Sequence, residues 1–105
     1  MHEFVQLTTT TGARHDAERI AAELVSRRLA GCVQVSGPIV STYRWQGNVE
    51  SAEEWMCIIK TSRAHLAAIQ AVLKEIHPYE IPELIATPIA DGSEAYFKWL
   101  GDQLG

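Results

Sequence analysis

Two long β-prone stretches, Cys32 to Trp45 and Val49 to Thr61, flank the triplet Gln46-Gly47-Asn48, and they constrain the fold more than any other feature of the chain. Glycine in the triplet can supply a positive φ, so the arms are predicted to form an antiparallel hairpin. An arm of 14 extended residues spans about 45 Å at about 3.3 Å each. A compact domain of 105 residues has a radius of gyration near ~13 Å, about 34 Å across as a sphere. The hairpin is therefore expected to overhang. Its outer part carries Tyr43, Trp45 and Val49, and exposed apolar strands are usually covered by another chain, best by symmetric copies of the same one. The alternative is that Gly37-Pro38 and the polar run Glu50-Ser51-Ala52-Glu53-Glu54 break the arms, so that the hairpin folds back on its own sheet.

The remaining patterns supply the elements around it. Glu3 to Thr10 alternates as a strand, and from Asp16 the residues Ala17, Ile20, Ala21, Leu24 and Val25 recur at helical spacing, predicting a helix to about Leu29. Proline cannot donate to a ladder, so a bulge or bend is expected at Gly37-Pro38. Ser62 is expected to cap a second helix carrying Leu66, Ile69, Val72, Leu73 and Ile76 and ending at His77-Pro78. Leu84 to Ile89 reads as a short edge strand, because Pro88 interrupts it, and Ser93 to Leu104 as a terminal helix. The order βαββαβα is that of an α+β, ferredoxin-like sandwich with an extended second hairpin and an extra C-terminal helix, one domain over residues 1–105.

Charge and cysteine usage narrow the function classes. The net charge is −4 with no Lys/Arg cluster, which argues against nucleic acid as a partner. The start of the chain has neither a basic leader nor an apolar run of spanning length, so a cytoplasmic protein with no membrane partner is expected. Counting outward from the turn sets Cys57 opposite a position near Ser36, about 13 Å along the ladder from Cys32 and beyond disulfide reach. Both thiols are expected to stay reduced. No Gly-rich phosphate loop, HExxH or activated nucleophile is present, and no enzymatic role is expected.

Four segments then resemble one known family: Arg28-Leu29-Ala30-Gly31-Cys32-Val33, Tyr43-Arg44-Trp45-Gln46-Gly47, Ile59-Lys60-Thr61 and His77-Pro78-Tyr79-Glu80-Ile81-Pro82-Glu83. In order and spacing they are similar, from end to end, to the CutA family of divalent-cation-tolerance proteins. The resemblance implies a tightly interlocked homotrimer, architecturally similar to PII signalling proteins, with copper or another divalent cation as the usual ligand and a part in the response to metal ions. Some family members carry a Cys at the end of the first strand as a suspected metal ligand, whereas this chain has Thr8, Thr9 and Thr10.

The candidate site residues follow. His77, Glu80 and Glu83 place an imidazole and two carboxylates where a divalent cation could bind, or where they could instead cap the second helix and brace a subunit contact. Tyr43, Arg44, Trp45 and Tyr79 are expected at the trimer interface, Tyr43 and Trp45 having the alternative of walling a ligand pocket. Thr8 to Gly12 precedes a helix and could receive an anion, or could serve as strand end and cap. Three functions compete: a metal-binding tolerance protein, a PII-like small-molecule sensor working at subunit clefts, and a scaffolding trimer without intrinsic metal function.

Overall fold

The computed structural model describes residues 3–105; Met1 and His2, part of the N-terminal stretch considered above, lie outside them. The elements follow the predicted order: β1 (Phe4–Thr11), α1 (Arg14–Ser26), β2 (Cys32–Trp45), β3 (Asn48–Ser62), a 3-10 turn (Arg63–His65), α2 (Leu66–Ile76), β4 (Ile85–Pro88) and α3 (Glu94–Gln103). All sheet pairings are antiparallel, and the strand order is β2-β3-β1-β4. This is the ferredoxin-like α+β arrangement, with β4 at an edge as its proline requires.

Alternation in the central strands decides where the core sits. Val5 and Leu7 of β1 and Cys57 and Ile59 of β3 share one face, and the stripes Ile20/Leu24 of α1 and Ile69/Leu73 of α2 close over them. Each such aliphatic side chain withdrawn from water contributes about 1.5–3 kcal/mol. α3 packs against the other face, where Phe97 stacks on Phe4 with ring centroids 5.2 Å apart.

Two helix boundaries differ from the periodic pattern. α1 ends at Ser26 rather than near Leu29 because Arg28 takes a left-handed φ of 59°. This turn lets the amides of Leu29 and Ala30 both donate to the Leu24 carbonyl, at 2.9 and 3.2 Å. The Arg28 guanidinium then reaches the carbonyls of Asp102 and Gln103, at 2.7 and 2.9 Å, at the end of α3 where such groups lack helical partners. α2 begins at Leu66, not just after Ser62. The Ser62 hydroxyl meets His65 Nδ1 at 2.6 Å instead of a backbone amide, and a 3-10 turn fills the gap. At α3 the serine does cap, Ser93 Oγ accepting from the Tyr96 amide at 3.3 Å.

The hairpin turn is tighter than the triplet suggests. Gln46 and Gly47 alone make it, with φ of 49° and 81°, while Asn48 already pairs with Trp45. Two consecutive positive φ values are what a two-residue hairpin loop demands. The expected irregularity is present at the cis Gly37-Pro38 bond, between the pairs Ser36↔Met56 and Ile39↔Glu54. The Trp55 ring lies over Gly37 so closely that a Cβ there would come within 2.6 Å of it. Below the bulge the register slips by one, so Cys57 faces Val35, and Cys32 faces Lys60. The two thiols are free. Cys57 donates to the Ala17 carbonyl at 3.4 Å, and burial pushes its thiol up to about 11.

The arm stays extended. The molecule measures 45 × 25 × 22 Å with a radius of gyration of 14.3 Å, above the ~13 Å of a compact domain of this size. The folded-back alternative is thereby excluded.

Candidate functional site

β1 ends at Thr11, opposite Trp55, but β3 continues outward for another seven residues to Asn48 with a neighbour on one side only. The space left beside it is filled partly by the loop from His77 to Leu84, which carries the chain from α2 to β4. Between the loop and the outer hairpin lies a cleft of about 740 Å³. Ser41, Thr42, Tyr43, Trp45, Glu50 and Glu54 line it from the hairpin, Pro78 to Ile81 and Glu83 from the loop, and Thr10 from the end of β1.

His77 fixes the loop from below. The amide of Tyr79 donates to its Nδ1 at 3.1 Å, so the ring proton sits on Nε2, which donates to the Thr10 carbonyl at 3.0 Å with the Thr9 hydroxyl at 3.2 Å. The side chain is buried, and the loss of water holds its pKa below the usual imidazole value despite the Thr10 carbonyl and the charges of Asp16 and Glu54. Tyr79 ties the loop to the hairpin, its hydroxyl donating to Glu54 Oε2 at 2.6 Å. Burial and the Glu54 carboxylate raise the phenol pKa well above its ordinary value, so it stays a donor. Thr8 donates to Glu83 at 3.4 Å, a third and weaker tie.

The predicted site residues thus divide. Glu80 and Glu83 share the cleft with Tyr43, Trp45 and Tyr79, whereas His77 lies beneath it with both ring nitrogens engaged. Arg44 is exposed and does not line the cleft. Among the described residues, no three His, Cys, Asp or Glu side chains are gathered closely enough to hold a metal ion. Glu80 and Glu83 both line the cleft, and among the described residues no third His, Cys, Asp or Glu joins them in a group that could hold a metal ion. His77 could join only by releasing the Tyr79 amide.

Sequence reasoning missed Glu50 and Glu54 as cleft residues. The signal was available, because counting from the turn sets Glu50 opposite Tyr43, and a period of two puts Glu54 on the same face as Glu50. The lining contains four carboxylates, those of Glu50, Glu54, Glu80 and Glu83, and no Lys or Arg. Glu54 is only 7% exposed.

Comparison with known proteins identifies the family and agrees with the fold. Residues 5–103 match the family model described as CutA1 divalent ion tolerance protein. The divalent-cation tolerance protein CutA of Thermus thermophilus is 37% identical, over 100% of both chains. A CutA homolog of Xenopus laevis is 42% identical over 82% of this chain, which spans only 57% of that longer protein. The crystal structure of CutA1 from Oryza sativa superposes with a TM-score of 0.96 at 33% identity, covering 99% of this chain and 95% of that one.

Proposed function

The chain belongs to the CutA1 divalent ion tolerance family, and from that premise we propose that it serves divalent-cation tolerance as a cytoplasmic homotrimer that binds cations without catalysing a reaction. The observation that carries this reading is the charge of the cleft: four carboxylates and no basic side chain. Glu80 and Glu83 are the proposed ligands for copper or another divalent ion, with His77 joining when its loop opens. Isothermal titration of Cu(II) and Zn(II) into the protein and its Glu83→Gln and His77→Ala variants tests the site. Saturable binding weakened by Glu83→Gln supports it; binding no better than millimolar, or indifferent to both substitutions, refutes it.

Assembly is supported by the overhanging hairpin, where Val40 and Val49 are 77% and 65% exposed and β2 has no strand on its outer side. Tyr43, Arg44, Trp45 and Tyr79 are the proposed interface residues. Sedimentation should return three times the chain mass, and a monomer across the micromolar range would rule the trimer out.

One observation favours the small-molecule reading as well, namely a cleft volume of about 740 Å³, in the range of sites for organic ligands and far larger than an ion needs. A thermal-shift screen with metabolites checks it, because a ligand that binds the native state raises the unfolding temperature.

A further inference from the structure

We propose that α3 and the last turn of α1 form a two-position switch. With α3 docked, Arg28 is left-handed and α1 stops at Ser26; with α3 released, residue 28 turns right-handed and α1 runs on to Leu29. The inference is independent of the cation reading and concerns how the root of the long hairpin is held.

Arg28 supplies the first argument. Helices that end on a left-handed residue usually place Gly or Asn there, because a Cβ makes that conformation costly. Here an arginine holds a φ of 59°. The sequence Ser26-Arg27-Arg28-Leu29 contains no Gly or Pro, and Arg and Leu are among the better helix formers, so nothing local stops the helix. Hydrogen bonds to the end of α3 stop it instead. The guanidinium donates to the carbonyls of Asp102 and Gln103, and the Arg28 carbonyl accepts from the Gly105 amide at 2.9 Å. His65 Nε2 adds a tie to the same segment, donating to the Gly105 backbone oxygen at 2.7 Å. A strained backbone persists only while its surroundings over-determine it, and these bonds are the surroundings.

α3 supplies the second argument, because it is the least anchored of the helices. α1 buries Ala17, Ile20 and Leu24 and α2 buries Ile69, Val72 and Leu73, whereas α3 buries Leu100 alone. Leu100 stands apart from the main core and sits on Gly31 so closely that a Cβ there would collide with it. An element with so few buried apolar contacts opens before the rest of the molecule.

The junction between the two carries the effect onward. Residues 29–31 join α1 to β2; the Leu29 carbonyl accepts from the Thr61 hydroxyl at 2.6 Å, and the Gly31 amide donates to the Lys60 carbonyl at 3.0 Å. A helix that ran to Leu29 would turn its carbonyl along the axis and give up the first of these bonds. Docking of α3 therefore sets how β2 leaves the body.

Hydrogen exchange read by mass spectrometry on the full chain tests the switch, with α2 as the internal reference. The amides of α3 are expected to exchange at least about tenfold faster than those of α2. Arg28→Ala, at an exposed position, should speed α3 about tenfold further and leave α2 unchanged. Arg28→Gly removes the same guanidinium but favours the left-handed turn, so its effect should be several fold smaller. Leu100→Ala acts from the other side: in its NMR spectra residue 28 should lose the strong amide-to-Hα contact that marks a positive φ. Equal exchange in α3 and α2 would overturn the proposal, as would an Arg28→Ala chain in which α2 accelerates equally. Equal effects of Arg28→Ala and Arg28→Gly, or a residue 28 that stays left-handed while α3 exchanges freely, would also overturn it. Should Leu100→Ala not fold, the two Arg28 variants decide alone.

Discussion

Residues 56–60 of β3 run between two strands and beneath the helices, whereas residues 48–54 of the same strand have a partner strand on one side and, on the other, a cleft bounded by a loop. The inner segment is apolar on its covered face, with Cys57 and Ile59 fully buried. The outer one is acidic and carries its buried carboxylate toward a cavity. One strand thus serves two environments, and the difference shows that secondary structure and core are separable: the ladder continues for many residues after the core has stopped.

The contrast can be broken at its strongest point first. Ile59→Ala removes a fully buried side chain and should cost about 2–5 kcal/mol in urea denaturation. Tyr79→Phe comes next. It leaves Glu54 Oε2 without its 2.6 Å donor, and a loss of about 1–3 kcal/mol is expected; an unchanged midpoint would mean that the loop is not tied to the hairpin through this bond.

A pH titration sharpens the comparison from below the cleft. The His77 pKa is lowered in the folded state, so the unfolded chain takes up the proton first. Stability is then complete above the unfolded value of about 6.5 and declines as the pH falls from there toward the folded pKa. His77→Gln should flatten that part of the stability curve, read from thermal midpoints between about pH 4 and 8. The smallest effect belongs to the tip: Val49→Ala, at 65% exposure, should change chain stability by less than about 0.5 kcal/mol. If it also lowers the apparent mass in sedimentation, the tip belongs to an interface.

Much of this division was legible in the residues. Periodicity placed every strand and helix of the sandwich, and the length of the two arms foretold the overhang. The α1 boundary was not legible, because a left-handed Arg28 is stabilised by carbonyls at the far end of the chain, 74 and 75 residues away. Nor was the start of α2, where a Ser62–His65 contact replaces the expected cap. At the cleft, the loop motif named Glu80 and Glu83 as candidate metal ligands, while Tyr43 and Trp45 were read first as interface residues and only alternatively as the wall of a pocket. Glu54 was hidden because an acidic run on a β-prone arm reads as solvated surface until the loop that folds over it is known. The engagement of both His77 nitrogens likewise depends on β1 and Tyr79, which sequence separation keeps out of view.

The bulge at Gly37-Pro38 has a consequence for how such a hairpin can change length over evolutionary time. Glu54 and Cys57 are three residues apart on an unbroken strand, one serving the cleft and the other the core, so a single insertion between them would put both on the same face. β2 already absorbs one register slip at its bulge and pins it beneath Trp55. Deletions and insertions are therefore tolerable at the Gln46-Gly47 end in matched pairs on both arms, which lengthen or shorten the reach while preserving what each wall of the cleft presents.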